Sequence, residues 1–438
     1  MCRFVRRYLS RRPVWIIPMI YVVSTVVAGF ILPRLEHAYL LSYETKLSVS
    51  STQAILSAIA SGMMALTGIV FSLAFVMVQF SATAYSPRLV LWLSDDPVLF
   101  HSLGTFIATF CYAIATLAWV DRGGSGRVPL FSAGLVMLLL IASALLFARL
   151  IQRLSSLQVT RVLQYIGKRG RRVVREMFPL LGAKTEEEVA RWSIAAEGLG
   201  DLPVGQTLYY SGEPRAVAAF DINNLVRLAT QADAIIVMEC AVGDTLGDES
   251  LILRVYGGRE PIPAANLRRA VRLEAGRTFE QDPKYPIRLL VDVAIKALSP
   301  AINDPTTAVQ ALDQLEDLLR RLGRRELEAG YAGDETGALR VVFPTPTWED
   351  YLTLSFDEIR QYGATSVQVM RRLRSALLGL AETVTVPERR LAVQRYAAHL
   401  NLQVERHIAD LEDRQMAMQE DRQGLGLSRK RAIGSAGP

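Results

Sequence analysis

From Leu47 to Pro87 the chain carries no charged side chain, and this stretch sets the strongest limit on how it folds. Within it Ala54, Ala58, Ser61, Ala65, Gly68 and Ser72 recur at alternating steps of four and three. That spacing puts a strip of small side chains on one face of a helix otherwise built from Ile, Leu, Val, Met and Phe. Lipid tails are as apolar as leucine, so a small residue gains nothing against them. Against a second helix it allows close backbone approach and many dispersion contacts. The segment therefore reads as a membrane helix packed on protein.

Half of the 438 residues (50%) are hydrophobic, yet the last two thirds read as ordinary soluble protein. The apolar excess lies in the first third, and the length leaves room for a membrane unit plus one or two soluble domains. The net charge of +6 comes largely from arginines beside the apolar segments, so nucleic acid is not needed to explain it. Cys2, Cys111 and Cys240 are scattered without metal-type pairing, and Cys2 lacks the preceding apolar stretch of a lipoprotein signal. Neither a disulfide framework nor a zinc site follows.

Four segments reach the roughly 20 apolar residues that a spanning helix needs: Val14 to Leu32, Ala54 to Phe80, Val98 to Val120 and Val128 to Ala148. The first begins like a signal peptide but has no convincing small-x-small cleavage site, which makes it an uncleaved anchor. Two crossings between Leu47 and Pro87 would need about 40 apolar residues, and both ends are rich in Ser, Thr and Gln, so one long helix fits. Arg3, Arg6, Arg7, Arg11 and Arg12 precede the first span, and Arg149, Arg153, Arg161, Lys168, Arg169, Arg171, Arg172 and Arg175 follow the fourth. Only Arg34, Lys46, Arg122 and Arg127 fall on the other side. The positive-inside tendency then predicts a multi-pass membrane protein with both termini cytoplasmic.

The third span repeats the small strip with Gly104, Ala108, Cys111, Ala115 and Ala118, flanked by Thr105, Thr109 and Thr116. Two helices with matching small faces are natural partners, within one subunit or between copies of a homo-oligomer. Close packing alone accounts for the strips. The alternative is a pore, with Ser57, Ser61, Thr67 and Ser72 facing water. No acidic or basic side chain lies within the spans apart from His101 near the start of the third, where an interfacial position is expected, which removes the usual mark of a proton relay.

Past the spans, a basic amphipathic connector carries Leu150, Leu154, Leu157, Arg161 and Gln164, suggesting that the fourth helix continues into the cytoplasm. Its patch Lys168 to Arg175 suits anionic headgroups. Thr207–Ser211, Ala216–Phe220, Ala234–Cys240 and Leu251–Tyr256 read as strands around a helix over Ile222–Ala232. Their cadence resembles the barrel-sandwich half-motifs of biotinyl and lipoyl carriers, but Gly257-Gly258-Arg259 stands where a carrier lysine is expected. The expected organisation is a leader over 1–13, a transmembrane domain over 14–151, a helical connector over 152–200, a small β-rich domain over 201–262, a mainly helical domain over 263–420 and a disordered tail over 421–438. The fold class is thus an α-helical membrane protein with four transmembrane helices and a cytoplasmic α+β domain.

The most distinctive soluble stretch runs from Arg277 to Arg321. Its helix over Tyr285–Leu298 is apolar nearly all round, interrupted by the ridge Arg288, Asp292 and Lys296. After Ser299-Pro300, Asn303-Asp304-Pro305 supplies a helix start with Asp304 as N-cap. A salt-bridged helical hairpin accounts for this pattern. The sharper expectation is a polar cluster of Arg277, Gln281, Asp282, Arg288, Asp292, Lys296, Asn303 and Asp304 that binds a ligand or a second subunit. Beyond it, a glycine-rich turn over Ala329–Gly337 precedes a strand over Leu339–Phe343, and helices follow over Trp348–Thr383 and Pro387–Gln419.

The blocks "GMMALTGIVFSLAFVMVQFSATAYSPRL", "GTFIATFCYAI" and "RTFEQDPKYPIRLLVDVAIKALSPAINDPTTAVQALDQL" resemble a bacterial family of membrane proteins known as domain of unknown function 2254. The likeness spans roughly residues 14 to 380. It implies a bacterial inner membrane and this topology, and it brings no chemistry.

No catalytic constellation emerges. His37, His101, His399 and His407 form no metal-binding pair, and Gly123-Gly124-Ser125-Gly126 lacks the Lys-Ser/Thr that grips phosphate. No catalytic, cofactor-binding or metal-binding residue is assigned and no cofactor is expected. The bilayer and further copies of the chain are the expected partners, with a small ligand or ion left open. Two readings compete: an oligomeric channel-like or transport-associated protein gated by its cytoplasmic domain, and a membrane-anchored sensor or scaffold.

Overall fold

The computed structural model describes residues 16–39, 48–84, 97–121, 128–154, 159–182, 186–327, 330–422 and 424. Its residues form two compact units that divide between Gln158 and Val159.

The N-terminal unit holds α1 (Ile16–Tyr39), α2 (Val49–Ala84), α3 (Pro97–Leu117) and α4 (Leu130–Leu154). Each contains an apolar window long enough to cross a membrane. At 1.5 Å per residue the 36 residues of α2 extend about 54 Å, well beyond a hydrocarbon core of about 30 Å. One long helix therefore occupies the uncharged stretch. The leader, Lys46, and the loop with Arg122, Gly123 to Gly126 and Arg127 lie outside the described residues.

α3 is the central helix, with 44% of its apolar window buried against 17–22% for the other three. It meets α1 through small residues. A Cβ on Gly29 would lie 2.6 Å from the Ala115 Cβ, and one on Gly104 would lie 2.8 Å from the Tyr21 ring. The small strip of α3 is thus taken up by α1, and within the chain the two small faces do not pair. α2 meets α3 through another face, with Leu56, Ile59, Ala60, Met63 and Val70 packed in one core with Phe106, Tyr112 and Val136. Thr109 and Ser143 join α3 to α4 through their hydroxyls at 3.0 Å. The Thr105 carbonyl lies within reach of Thr109 and the Leu139 carbonyl within reach of Ser143, so one hydroxyl donates across the pair while the other donates one turn back.

α1 continues past the expected end at Leu32, with Pro33 inside it. The extra turn is useful. The Arg34 guanidinium lies 5.9 Å from the Trp119 ring. The Glu36 carboxylate accepts from the Phe131 N–H at 2.7 Å, the Ser132 N–H at 3.0 Å and the Ser132 hydroxyl at 2.8 Å. Those backbone groups belong to the first turn of α4, where N–H donors have no partner in the helix and negative charge is favoured.

The second unit opens with α5 (Val159–Met177) and α6 (Glu186–Glu197). Then come β1 (Val204–Tyr209), β2 (Arg215–Phe220), α7 (Ile222–Ala232), β3 (Ala234–Met238), β4 (Thr245–Leu246), β5 (Leu251–Gly257), α8 (Ala264–Arg269) and β6 (Val271–Glu274). The remainder is α9 (Lys284–Ala297), α10 (Pro305–Leu322), β7 (Tyr331–Gly333), β8 (Leu339–Val342), α11 (Trp348–Tyr362), α12 (Val367–Thr383), α13 (Pro387–His407) and α14 (Leu411–Ala417). One sheet has the order β1-β5-β3-β8-β7 and the other β4-β2-β6. β3 and β8 are parallel, with Ile236 opposite Val341, and the other pairs are antiparallel.

Strand pairing therefore crosses the domain boundary expected at 262, because β2 takes β6 and β3 takes β8 from beyond it. The barrel-sandwich likeness does not extend to this topology. β2 and β4 leave for a separate sheet, and α7 packs into the core between strands. The helix expected over Trp348–Thr383 breaks at Gly363, where a Cβ would sit 2.7 Å from Val369. The one expected over Pro387–Gln419 breaks after His407, and Asp410 caps α14 by accepting from the Glu412 and Asp413 N–H groups. β7 lies inside the glycine-rich turn. Whether α4 runs on into α5 falls to residues 155–158, outside the described ones. Of the expected tail, Asp421 and Gly424 are buried, and the Gln368 amide donates to the Gly424 carbonyl.

Two substitutions test the membrane unit. Gly29→Leu forces α1 off α3 and should cost about 1–3 kcal/mol, the usual penalty of overpacking. Glu36→Ala uncaps α4 and should cost about 0.5–2 kcal/mol. Thermal unfolding of detergent-purified protein reads both, and unchanged midpoints would contradict these contacts.

Candidate functional site

The sequence-selected polar cluster is distributed over three joints around α9. At its start, Gln281 stands at φ +40. Its side-chain amide accepts from the Phe220 N–H at 3.0 Å and donates to the Phe220 carbonyl at 3.1 Å, as a neighbouring strand would at the end of β2. Arg277 grips Asp282 in a two-point ion pair of 2.8 and 3.0 Å. The Asp282 carboxylate also accepts from the Tyr285 N–H, although its residue is only 2% exposed. Burial pushes the Asp282 carboxyl above the usual carboxylate range, against the lowering effect of Arg277. Gly243 makes the pair fit. It has φ +94, and a Cβ there would fall 2.7 Å from Arg277 Nη2 and 2.8 Å from Asp282 Oδ2.

Midway along α9, Arg288 donates from Nε to Asp292 at 2.6 Å and from Nη2 to Glu358 of α11 at 2.9 Å, with a second contact from Nη1 to Glu358. The Glu358 hydrogen bond raises the Arg288 pKa, and Arg288 in turn holds the Glu358 carboxyl below its usual range. The ridge continues to Lys296, which is half-buried. After α9, Asn303 adopts φ +48. Asp304 accepts from the Thr307 N–H at 3.1 Å and its hydroxyl at 2.6 Å, which caps α10 as the sequence indicates. Asn303 and Asp304 thus shape the turn, Arg277 to Asp282 lock it to the sheets, and Arg288 ties α9 to α11.

Sequence reasoning missed two partners. Gly243 and Glu358 lie far from the stretch in sequence and carry no local pattern that points to it. It also missed Arg372, 5% exposed, which donates to Asp313 at 2.8 Å and to Glu316 on α10. The acidic pair Asp313 and Glu316, at i and i+3 on α10, was the available signal. Among the described residues no three His, Cys, Asp or Glu side chains come together as metal ligands.

In the membrane unit the two small strips part company. Gly104 and Ala108 are buried and Cys111 and Ala115 half-buried, whereas Ala54, Ala58, Ser61, Ala65, Gly68 and Ser72 are all exposed in the single chain. A shallow groove of about 500 Å³ runs along this face past Ala65, Gly68 and Ser72. Ser72 donates to the Gly68 carbonyl at 3.0 Å, and Thr67, at its edge, to the Met63 carbonyl at 2.7 Å. Ser57 and Ser61 are exposed beside them.

The Arg288 joint gives a test by pH. Because the folded state lowers the Glu358 pKa, its contribution is present above the unfolded value of about 4.3 and is lost as pH falls through the lowered folded value. Acidification should therefore destabilise the wild type more than Glu358→Gln, measured as unfolding midpoints against pH. Arg288→Met leaves Asp292 and Glu358 without their cation and should cost about 1–3 kcal/mol at neutral pH.

A family described as predicted membrane protein, domain of unknown function 2254, matches residues 11–378. Uncharacterized proteins of Mycobacterium tuberculosis and Mycobacterium bovis are 27% identical over 373 residues, covering 83% of this chain and 70% of theirs. No solved structure matches the chain. With four apolar helices followed by an α+β region and a family match over most of its length, the chain belongs to the membrane protein family of domain of unknown function 2254.

Proposed function

We propose that this membrane protein works as a homo-oligomer in which the small face of α2 forms the contact between copies and lines a channel-like path, with the second unit as a cytoplasmic regulator. The observation that carries the proposal is the exposure of Ala54, Ala58, Ser61, Ala65, Gly68 and Ser72 together. The small residues Gly29 and Gly104 are used inside the chain, where they bring α1 onto α3. A long small-residue face left open on α2 offers the same close approach to a second copy. Ser57, Ser61 and Ser72 add hydroxyls to that face. The arginine distribution supports cytoplasmic termini, and the mycobacterial relatives support a bacterial inner membrane.

A second reading, a membrane-anchored scaffold, is favoured by the back-bonded hydroxyls of Thr67 and Ser72, which need no water. Ion flux from proteoliposomes separates the two. The channel-like reading expects flux that falls at least about tenfold in Ser61→Leu, equivalent to roughly 1.4 kcal/mol on the path. Equal, negligible flux from both proteins would remove it and leave the scaffold, provided that Ala65→Cys still cross-links between copies.

A further inference from the structure

The basic helix α5 is divided by the fold into two sets of cations with different fates. Its inner face, with Val162, Leu163, Ile166, Gly167, Gly170, Val173 and Val174, is buried. A Cβ on Gly170 would come within 2.9 Å of Leu318 and 3.2 Å of Pro286, so α5 lies directly on α9 and α10. Two arginines at the edge of this face are already engaged. Arg171 pairs with Asp317 at 3.0 Å and donates to Gln314. Arg169 donates to the Tyr165 hydroxyl at 2.8 Å and covers the Tyr165 and Phe279 rings.

The outer set is different. Arg161, Lys168, Arg172 and Arg175 are all exposed, at steps that keep them with Gln164 on one face, and none has an acidic partner among the described residues. Glu176 is the acidic residue at the end of that face. Such a row repels itself, and among the residues of α5 Glu176 alone offers a carboxylate to offset it. An external array of negative charge offsets the rest. Only residues 155–158 separate the end of α4 from the start of α5, and four residues reach about 14 Å even when fully extended. The basic row thus follows the fourth apolar span closely in sequence.

The geometry points to anionic phospholipid headgroups as the ligand of this face, bound by Arg161, Lys168, Arg172 and Arg175 while the inner face keeps α5 fixed on the soluble unit. Each cation near an anionic surface contributes about 1 kcal/mol, or about fivefold in partitioning. The contact weakens with salt.

The test uses the full chain purified in detergent and incubated with equal phosphatidylglycerol and phosphatidylcholine, with bound lipid counted by native mass spectrometry. Wild type should hold an excess of phosphatidylglycerol that salt reduces. The variant Arg161→Gln, Lys168→Gln, Arg172→Gln, Arg175→Gln should lose that excess at an unchanged unfolding midpoint, because the inner face is untouched. A variant with Arg161→Lys, Arg172→Lys and Arg175→Lys keeps the charge and should keep the excess even if the glutamine variant folds poorly. No lipid preference in wild type, or loss of preference in the lysine variant, would overturn the proposal. So would binding of an RNA oligonucleotide, without anionic lipid, that depends on the same four residues.

Discussion

In hydrocarbon two helices have no hydrophobic reason to meet, so their contact depends on how closely their backbones approach. The membrane unit is built on that constraint. α1 reaches α3 over Gly29 and Gly104, where any Cβ would collide with the opposing helix. The Thr109 and Ser143 hydroxyls each have a carbonyl one turn back within reach and lie 3.0 Å from each other. The polar ends are tied by Glu36 on the first turn of α4 and by Arg34 on Trp119. What this economy leaves over is a complete small face on α2.

The second unit relies on a related device. Gly167 and Gly170 let α5 settle on the α9–α10 pair, and Gly243 leaves space for the Arg277–Asp282 bridge. Burying such charges is costly unless they are paired and hydrogen-bonded. Asp282 satisfies both conditions, through Arg277 and through the Tyr285 N–H. These bridges hold elements distant in sequence: Gln281 reaches β2, Arg288 reaches α11 and Arg372 reaches α10. The stretch from Arg277 to Arg321 thereby joins the sheets to the helical part.

Much of this was legible from residues alone, where the signal is local. Apolar length gave the four spans, Asp304-Pro305 gave the start of α10, and period-two runs gave β1, β2, β3 and β5. The failures at strand pairing and helix pairing were non-local. Nothing in Gly104 to Ala115 tells which helix its small face will meet, and the answer is α1 rather than α2. β6 and β7 are too short to show a period, and each acquires its identity from a partner strand. Glycine density around Gly337 marked a turn correctly but hid the three residues of β7 inside it. For the polar cluster, spacing identified the Arg288–Asp292 pair, whereas Glu358 comes from 70 positions away.

The account rests on protein, rather than lipid, covering the small face of α2. Nitroxide labels placed at Ala58 and Ala65 in bilayer-reconstituted protein test this through their collision rates with oxygen, which concentrates in lipid, and with a water-soluble nickel complex. Low accessibility to oxygen at both positions, compared with high accessibility at the large exposed residue Phe71, is the result predicted. Oxygen accessibility at Ala58 and Ala65 equal to that at Phe71 would place the face in lipid and contradict the account.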